Sequence, residues 1–422
     1  MTIDCLPFLV YLLLFCFIIT RVTFFRKSGI RLFLLVGIFC LKVGVGVLYG
    51  LYFNLPSQSG TADTWRFYRE SLPETQLLLH EPLLFVKSLV SHGYAQAGNL
   101  FVGANSYWND LKDNIIIKLL AIANVFTRSN YYVDIVFFNF CYLFGLVAFY
   151  KLVKTYSNTH KYLLIIGVFL LPSFLFWCSG IHKDGLLFSA LGIVFYSFQK
   201  VIKKQAIAKH YLFFALAILF IFFIKNYLAL ALVPALASWW LADRNHQRHQ
   251  FYFIAVYMGG LLALMIISLL GNGYNALYYL TNKHQEFLLL NGASAIKTRV
   301  LAPTIESVVK YLPTAIDIAF FRPHISEIKN AAYAMSFAEI IIYLIITIAF
   351  LWLVRNKKLM PPFYICCFYF ALSILLLDGY IVTFTGAIVR YRSLVAPLLI
   401  APMMGMIPFR EIALATRKNK II

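Results

Sequence analysis

Residues 32–53 read LFLLVGIFCLKVGVGVLYGLYF, a run in which Lys42 is the lone charge. At 1.5 Å per residue it makes a helix of about 33 Å, enough to cross a hydrocarbon layer roughly 30 Å thick. The stretch before it, RVTFFRKSGIR at 21–31, carries the cations Arg21, Arg26, Lys27 and Arg31. An apolar block behind a basic cluster marks a membrane span with its cytoplasmic flank. The rest of the chain repeats that unit. Of its 422 residues 61% are hydrophobic and 13% charged, whereas a soluble domain is nearer half apolar and a quarter charged. So much apolar surface cannot be hidden in one globular core. Nor does the chain alternate as a membrane barrel does. The fold class is an all-α polytopic membrane protein, read as a single transmembrane domain over 1–422.

The net charge of +20 would suggest a nucleic-acid partner in a soluble protein, but its placement points elsewhere. Six clusters, at 21–31, 151–161, 200–209, 244–248, 355–358 and 410–420, hold 20 Lys and Arg, with only Asp243 and Glu411 in or beside them. By the positive-inside rule these are cytoplasmic. Threading the chain through them gives about eleven spans: 3–20, 32–53, 131–150, 162–178, 185–199, 211–224, 226–241, 251–270, 336–354, 360–377 and 394–408. The N-terminus is then outside and the C-terminus inside. The first span has Asp4 where a signal peptide has basic residues, and reads as a retained anchor. The seven cysteines lie in or at the ends of spans, with neither a disulfide framework nor a CxxC metal signature. No nucleotide-binding motif occurs, and the cytoplasmic loops are too short for a nucleotide-binding domain.

Two external loops are longer than a connection needs, 54–130 and 271–335, and long ordered loops carry function. In the first, apolar stretches at 82–90 and 114–126 read as helices lying in the outer interface. In the second, the apolar residues from Ile305 to Phe320 recur at helical spacing, with Pro313 inside the run and Arg322-Pro323 at its end. Asp63 follows a turn-forming Gly-Thr-Ala and precedes Trp65, Arg66, Tyr68 and Arg69. It reads either as a helix N-cap or as a general base with aromatics beside it for a sugar ring. His80-Glu81-Pro82 is a helix start that also offers polar contacts to a sugar or acceptor. The turn at 179–185 holds His182 and Lys183, two cation-capable side chains at a helix N-terminus, where anions bind; Asp184 is placed to cap the following helix. Arg390 and Arg392 diverge if helical and share a side if extended, and Arg matches phosphate oxygens bidentately. Lys42, mid-span, is either buried in a pair or functional.

The acidic residue of the first large external loop, Gly60-Thr61-Ala62-Asp63 with Tyr68, resembles the GT-C membrane glycosyltransferases. Pro172 to Gly180 with His182-Lys183-Asp184, and Val389 to Ser393 with Pro397, look like stretches of bacterial envelope-glycan proteins of the GT-C and polymerase-like classes. The resemblance covers about a tenth of the chain. It departs from the family in that the acidic loop follows the second span instead of the first. It implies a polyprenyl-phosphate-linked sugar as donor, transferred on the outer face of the bacterial cytoplasmic membrane to a glycan, lipid or protein acceptor, with Asp63 as the catalytic carboxylate. Such a donor carries its own leaving group, so no nucleotide cofactor is needed, only a base and cations for the departing phosphate; whether a divalent metal takes part stays open. His182, Lys183, Arg390 and Arg392 are the candidates for the phosphate, and Asp63, His182, Lys183 and Arg390 are expected around one outward-opening cavity. Two alternatives are a Wzy-like oligosaccharide-unit polymerase or O-antigen ligase, leaning on external Arg and His, and a transporter or flippase of lipid-linked sugars.

Overall fold

A computed structural model of the chain describes residues 4–58, 63–91, 107–157, 159–245, 248–269, 275–290, 292, 294–354 and 360–408. Among them regular structure is helical throughout, with one isolated antiparallel bridge between Ala295 and Phe384. The helices are α1 (Cys5–Arg21), α2 (Thr23–Arg26), α3 (Leu32–Phe53), α4 (Thr64–His80), α5 (Pro82–Ser91), α6 (Tyr107–Thr127), α7 (Tyr131–Thr155), α8 (Lys161–Phe169) and α9 (Pro172–Trp177). They continue with α10 (Lys183–Ile202), α11 (Ala208–Ile224), α12 (Asn226–Arg244), α13 (His249–Leu269), α14 (Ala276–Leu288), α15 (Ile305–Ile316), α16 (Ala331–Leu353), α17 (Pro362–Ile381) and α18 (Thr385–Met406).

Seven of these, α3, α7, α10, α13, α16, α17 and α18, are long and apolar enough to cross a membrane. The other four stretches of the eleven-span reading take different forms. α1 and α11 are apolar but 17 residues long, and α12 holds Pro234 and ends on Asp243 and Arg244. The stretch 162–178 is not one helix. Pro172 disfavours helical backbone at Leu171 and starts a new helix as its first residue, so α8 stops at Phe169 and α9 takes over.

The chain forms two compact units, residues 1–152 with 175–226, and residues 153–174 with 227–422. In the first, α10 and α11 form a helical hairpin, α4 packs on α5 and α6, and α6 reaches α11. α7 and α10 cross at Gly145, Ser189 and Gly192. A Cβ on Gly192 would stand 2.1 Å from the Gly145 carbonyl oxygen, so only small residues permit this approach. At one end of the unit the basic clusters meet: Lys151 lies over the rings of Phe24 and Tyr196, with Lys27 and Lys200 as charged neighbours.

In the second unit α17 packs against α13, α14, α15 and α18, while α8 and α16 pack on α18. Gly379 of α17 admits α15 closely, since a Cβ there would lie 2.2 Å from the Ala315 carbonyl oxygen. A helix forms where the 305–320 periodicity predicts one. It is α15 followed by a π turn, Asp317–Phe321, and it ends at the cis Arg322-Pro323 bond. α14, in the same long loop, went unread in the sequence.

Candidate functional site

In the first unit the candidate site is built where the start of α4 and the turn before α10 approach the C-terminal half of α3. Trp65, at the start of α4, donates its indole N–H to the Gly50 carbonyl at 3.0 Å. The turn before α10 packs lower on α3: the Ser179 carbonyl oxygen would be 2.5 Å from a Cβ on Gly46. Gly46 is seven residues before the end of α3, about 10 Å at the helical rise. The turn is therefore set down inside the bundle instead of at its rim. Lys42 holds it there, donating to the Cys178 carbonyl and the Ser179 hydroxyl, both at 2.9 Å. Asn139 and Tyr142 of α7 donate to the carbonyls of Ser179 and Gly180. The lysine is fully buried and hydrogen-bonded to this turn, which answers the question its mid-span position raises.

Above the turn lies a chain of charges. Asp113 of α6 takes Arg66 on one oxygen at 2.6 Å and faces Lys183 with the other at 3.5 Å. Arg66 also meets Asp63 at 3.4 Å and Glu70 at 3.9 Å. Burial disfavours the Arg66 charge, but the hydrogen bond and charge of Asp113, then Asp63 and Glu70, outweigh it and lift the guanidinium above its ordinary pKa. Beneath, Lys225 pairs with Asp184 at 3.0 Å, and His182 Nδ1 lies 3.1 Å from the same carboxylate. Lys225 arrives there because α10 and α11 are antiparallel, which puts the break after α11 beside the start of α10. Exposure falls along the chain of charges: 39% and 42% for the side chains of Asp63 and Arg66, 19% and 12% for Asp113 and Lys183, none for His182 and Asp184. A carboxylate open to solvent thus pairs with Arg66, and Asp113 carries the chain on to the more buried Lys183.

The structure brings Asp63, Arg66 and Lys183 of the sequence candidates together, through Asp113. Asp63 occupies the N-cap position of α4, yet its side chain makes no cap hydrogen bond. Trp65 and Tyr68 are placed differently from sugar contacts. Trp65 stacks on Tyr131 with ring centroids 4.0 Å apart, and Tyr68 is buried and donates to the Ser129 carbonyl. Burial, with Asp134 nearby, pushes the Tyr68 phenol up to about 12. His182 is not beside Lys183 as a second exposed cation: it is buried and is itself the N-cap of α10, its Nδ1 accepting from the Asp184 amide at 3.2 Å. Asp184 does not cap; its carboxylate accepts from Lys225. His80 and Glu81 are exposed where α4 gives way to α5.

In the second unit, Arg390 and Arg392 both lie in α18, which starts at Thr385, so they point to different sides. Arg390 is half-buried. Arg392 is buried and donates to the carbonyls of Ala319 and Arg322 at 3.3 and 2.9 Å. It thereby clamps the π turn, beside which Arg322 pairs with Asp317 at 3.0 Å and Glu327 at 2.5 Å, and His324 with Asp317 at 2.8 Å. Glu339 of α16 is a further buried acid that sequence reasoning missed. It accepts from the Ser173 amide at 3.1 Å and from the Tyr343 hydroxyl at 2.6 Å, capping the start of α9. An acid alone in the apolar run AAYAMSFAEIIIYL was the signal that marks it.

No family model, curated protein or solved structure matches the chain.

Proposed function

We propose that the chain is a membrane glycosyltransferase of GT-C type that takes sugar from a polyprenyl-phosphate donor. The observation that carries this is the Asp63–Arg66–Asp113–Lys183 cluster. An accessible carboxylate pairs with Arg66, and Asp113 links that cation to Lys183, at the starts of α4 and α10 and at the other end of α10 from the Lys200 cluster. In this reading Asp63 takes the proton from the acceptor hydroxyl. Lys183 and Arg66, freed from Asp113 by a stronger anion, meet the negative charge that develops on the departing phosphate. Asp113 holds both cations oriented while no substrate is bound. His182, Asp184 and Lys225 fix the start of α10 from below, and Lys42 fixes the preceding turn. The proposal includes the eleven-span topology, with the N-terminus and the Asp63 cluster outside the bacterial cytoplasmic membrane.

The test is acceptor-dependent release of polyprenyl phosphate by the purified protein in nanodiscs, supplied with polyprenyl-phosphate sugars and fragments of envelope glycan. Release that tracks acceptor supports transfer; no turnover with any donor of this class removes the proposal.

The second unit favours one other reading, because Arg322, His324 and Arg392 gather at the π turn. An oligosaccharide-unit polymerase or ligase would lean on such residues. Loss of activity in His324→Ala beside full activity in Asp63→Asn would select it.

A further inference from the structure

The loop before α15 and the first three turns of that helix enclose a cleft of about 660 Å³ whose lining includes Lys297, Arg299 and Lys310. Its one carboxylate, Glu306, is already matched by Lys310 at 2.5 Å, so two positive charges are in excess. Hydroxyl groups complete the wall. Tyr311 is 5% exposed, and its hydroxyl faces the buried hydroxyl of Thr298, with no further side-chain partner for either among the described residues. Two hydroxyls that face each other use one donor proton and leave the other to spare, and a ligand oxygen in the cleft would accept it. The wall is held in place from behind. His284 lies 3.2 Å from the Arg299 carbonyl and 2.7 Å from that of Tyr380, while Tyr311 stacks on Tyr380.

We propose that this cleft is a binding site for a phosphate or diphosphate group, with Arg299, Lys297 and Lys310 meeting the charge and the Tyr311–Thr298 hydroxyl pair donating from the floor. The inference uses none of the residues of the Asp63 cluster and does not rest on the reading of that cluster. The group can reach the cleft on a lipid headgroup or on a free or glycan-borne phosphate, and the chemistry of recognition is the same.

Amine-reactive footprinting of the full chain in neutral-lipid nanodiscs, read peptide by peptide, tests it. Inorganic pyrophosphate is titrated in, and the arm is repeated in nanodiscs of anionic phospholipid. The expected result is saturable protection of Lys297 and Lys310 by pyrophosphate, by anionic lipid or by both, which names the source. Arg299→Ala should raise the half-protecting concentration at least about tenfold and Tyr311→Phe, which keeps the ring packing, about three- to tenfold. Labelling of Lys297 and Lys310 that neither probe changes overturns the site, as does protection that is equal in Arg299→Ala and wild type. Lys183 is read in the same spectra, so the donor reading stands or falls on its own peptide.

Discussion

At the scale of single residues, what the sequence showed and what it hid divide by environment. Asp63, Arg66 and Lys183 were legible because charges beside turn residues stand out from apolar surroundings. Asp113 was not, since NDLKDN at 109–114 reads as an ordinary solvated helix start; only the fold reveals that it joins Arg66 to Lys183. Trp65 and Tyr68 show the converse. Aromatic identity does not report whether a ring face is open, and here Tyr131 and the Ser129 carbonyl have taken those positions. Lys42 gives the sharpest residue-level prediction. Lys42→Met keeps the length and packing but strips the Cys178 carbonyl and the Ser179 hydroxyl of their donor, which should cost about 1–3 kcal/mol. Unfolding in detergent measures it, and an unchanged midpoint would refute the structural role.

Among the elements, the long apolar helices were read from length alone, and the failures came where a local rule was overridden by a count. The stretch 162–178 is long enough to span, yet Leu171-Pro172 splits it, and that dipeptide was in view. The glycines carry the next prediction. Gly192→Ala puts a methyl against the Gly145 carbonyl and must push α7 and α10 apart, a cost of about 1–3 kcal/mol for overpacking. Gly37→Ala, in α3, meets nothing within 4 Å and should be neutral or slightly stabilising, since alanine favours the helix. Thermal unfolding of the two proteins in the same detergent compares them. Equal loss in both would show that helix propensity, not the crossing, sets the effect.

For the whole molecule, the charge segregation read from the sequence has a structural counterpart in the first unit, where Lys27, Lys151 and Lys200 gather at one end. α10 runs from Lys183 to Ile202, about 30 Å at the helical rise, and separates the charge cluster from the turn that follows Lys200. Single cysteines introduced at Ser57 and Gln205, in a cysteine-free background, should therefore label from opposite sides of the membrane, Ser57 from outside. Labelling of both from one side would break the topology on which the proposed function depends. That function asks one carboxylate to act as a base, and the most direct measurement is the transfer rate of Asp63→Asn. The substitution keeps the size and the contact with Arg66 but removes the base. Transfer from a polyprenyl-phosphate sugar should fall about 10²–10⁴-fold, with protein yield and thermal stability unchanged. Wild-type transfer by Asp63→Asn would contradict the account.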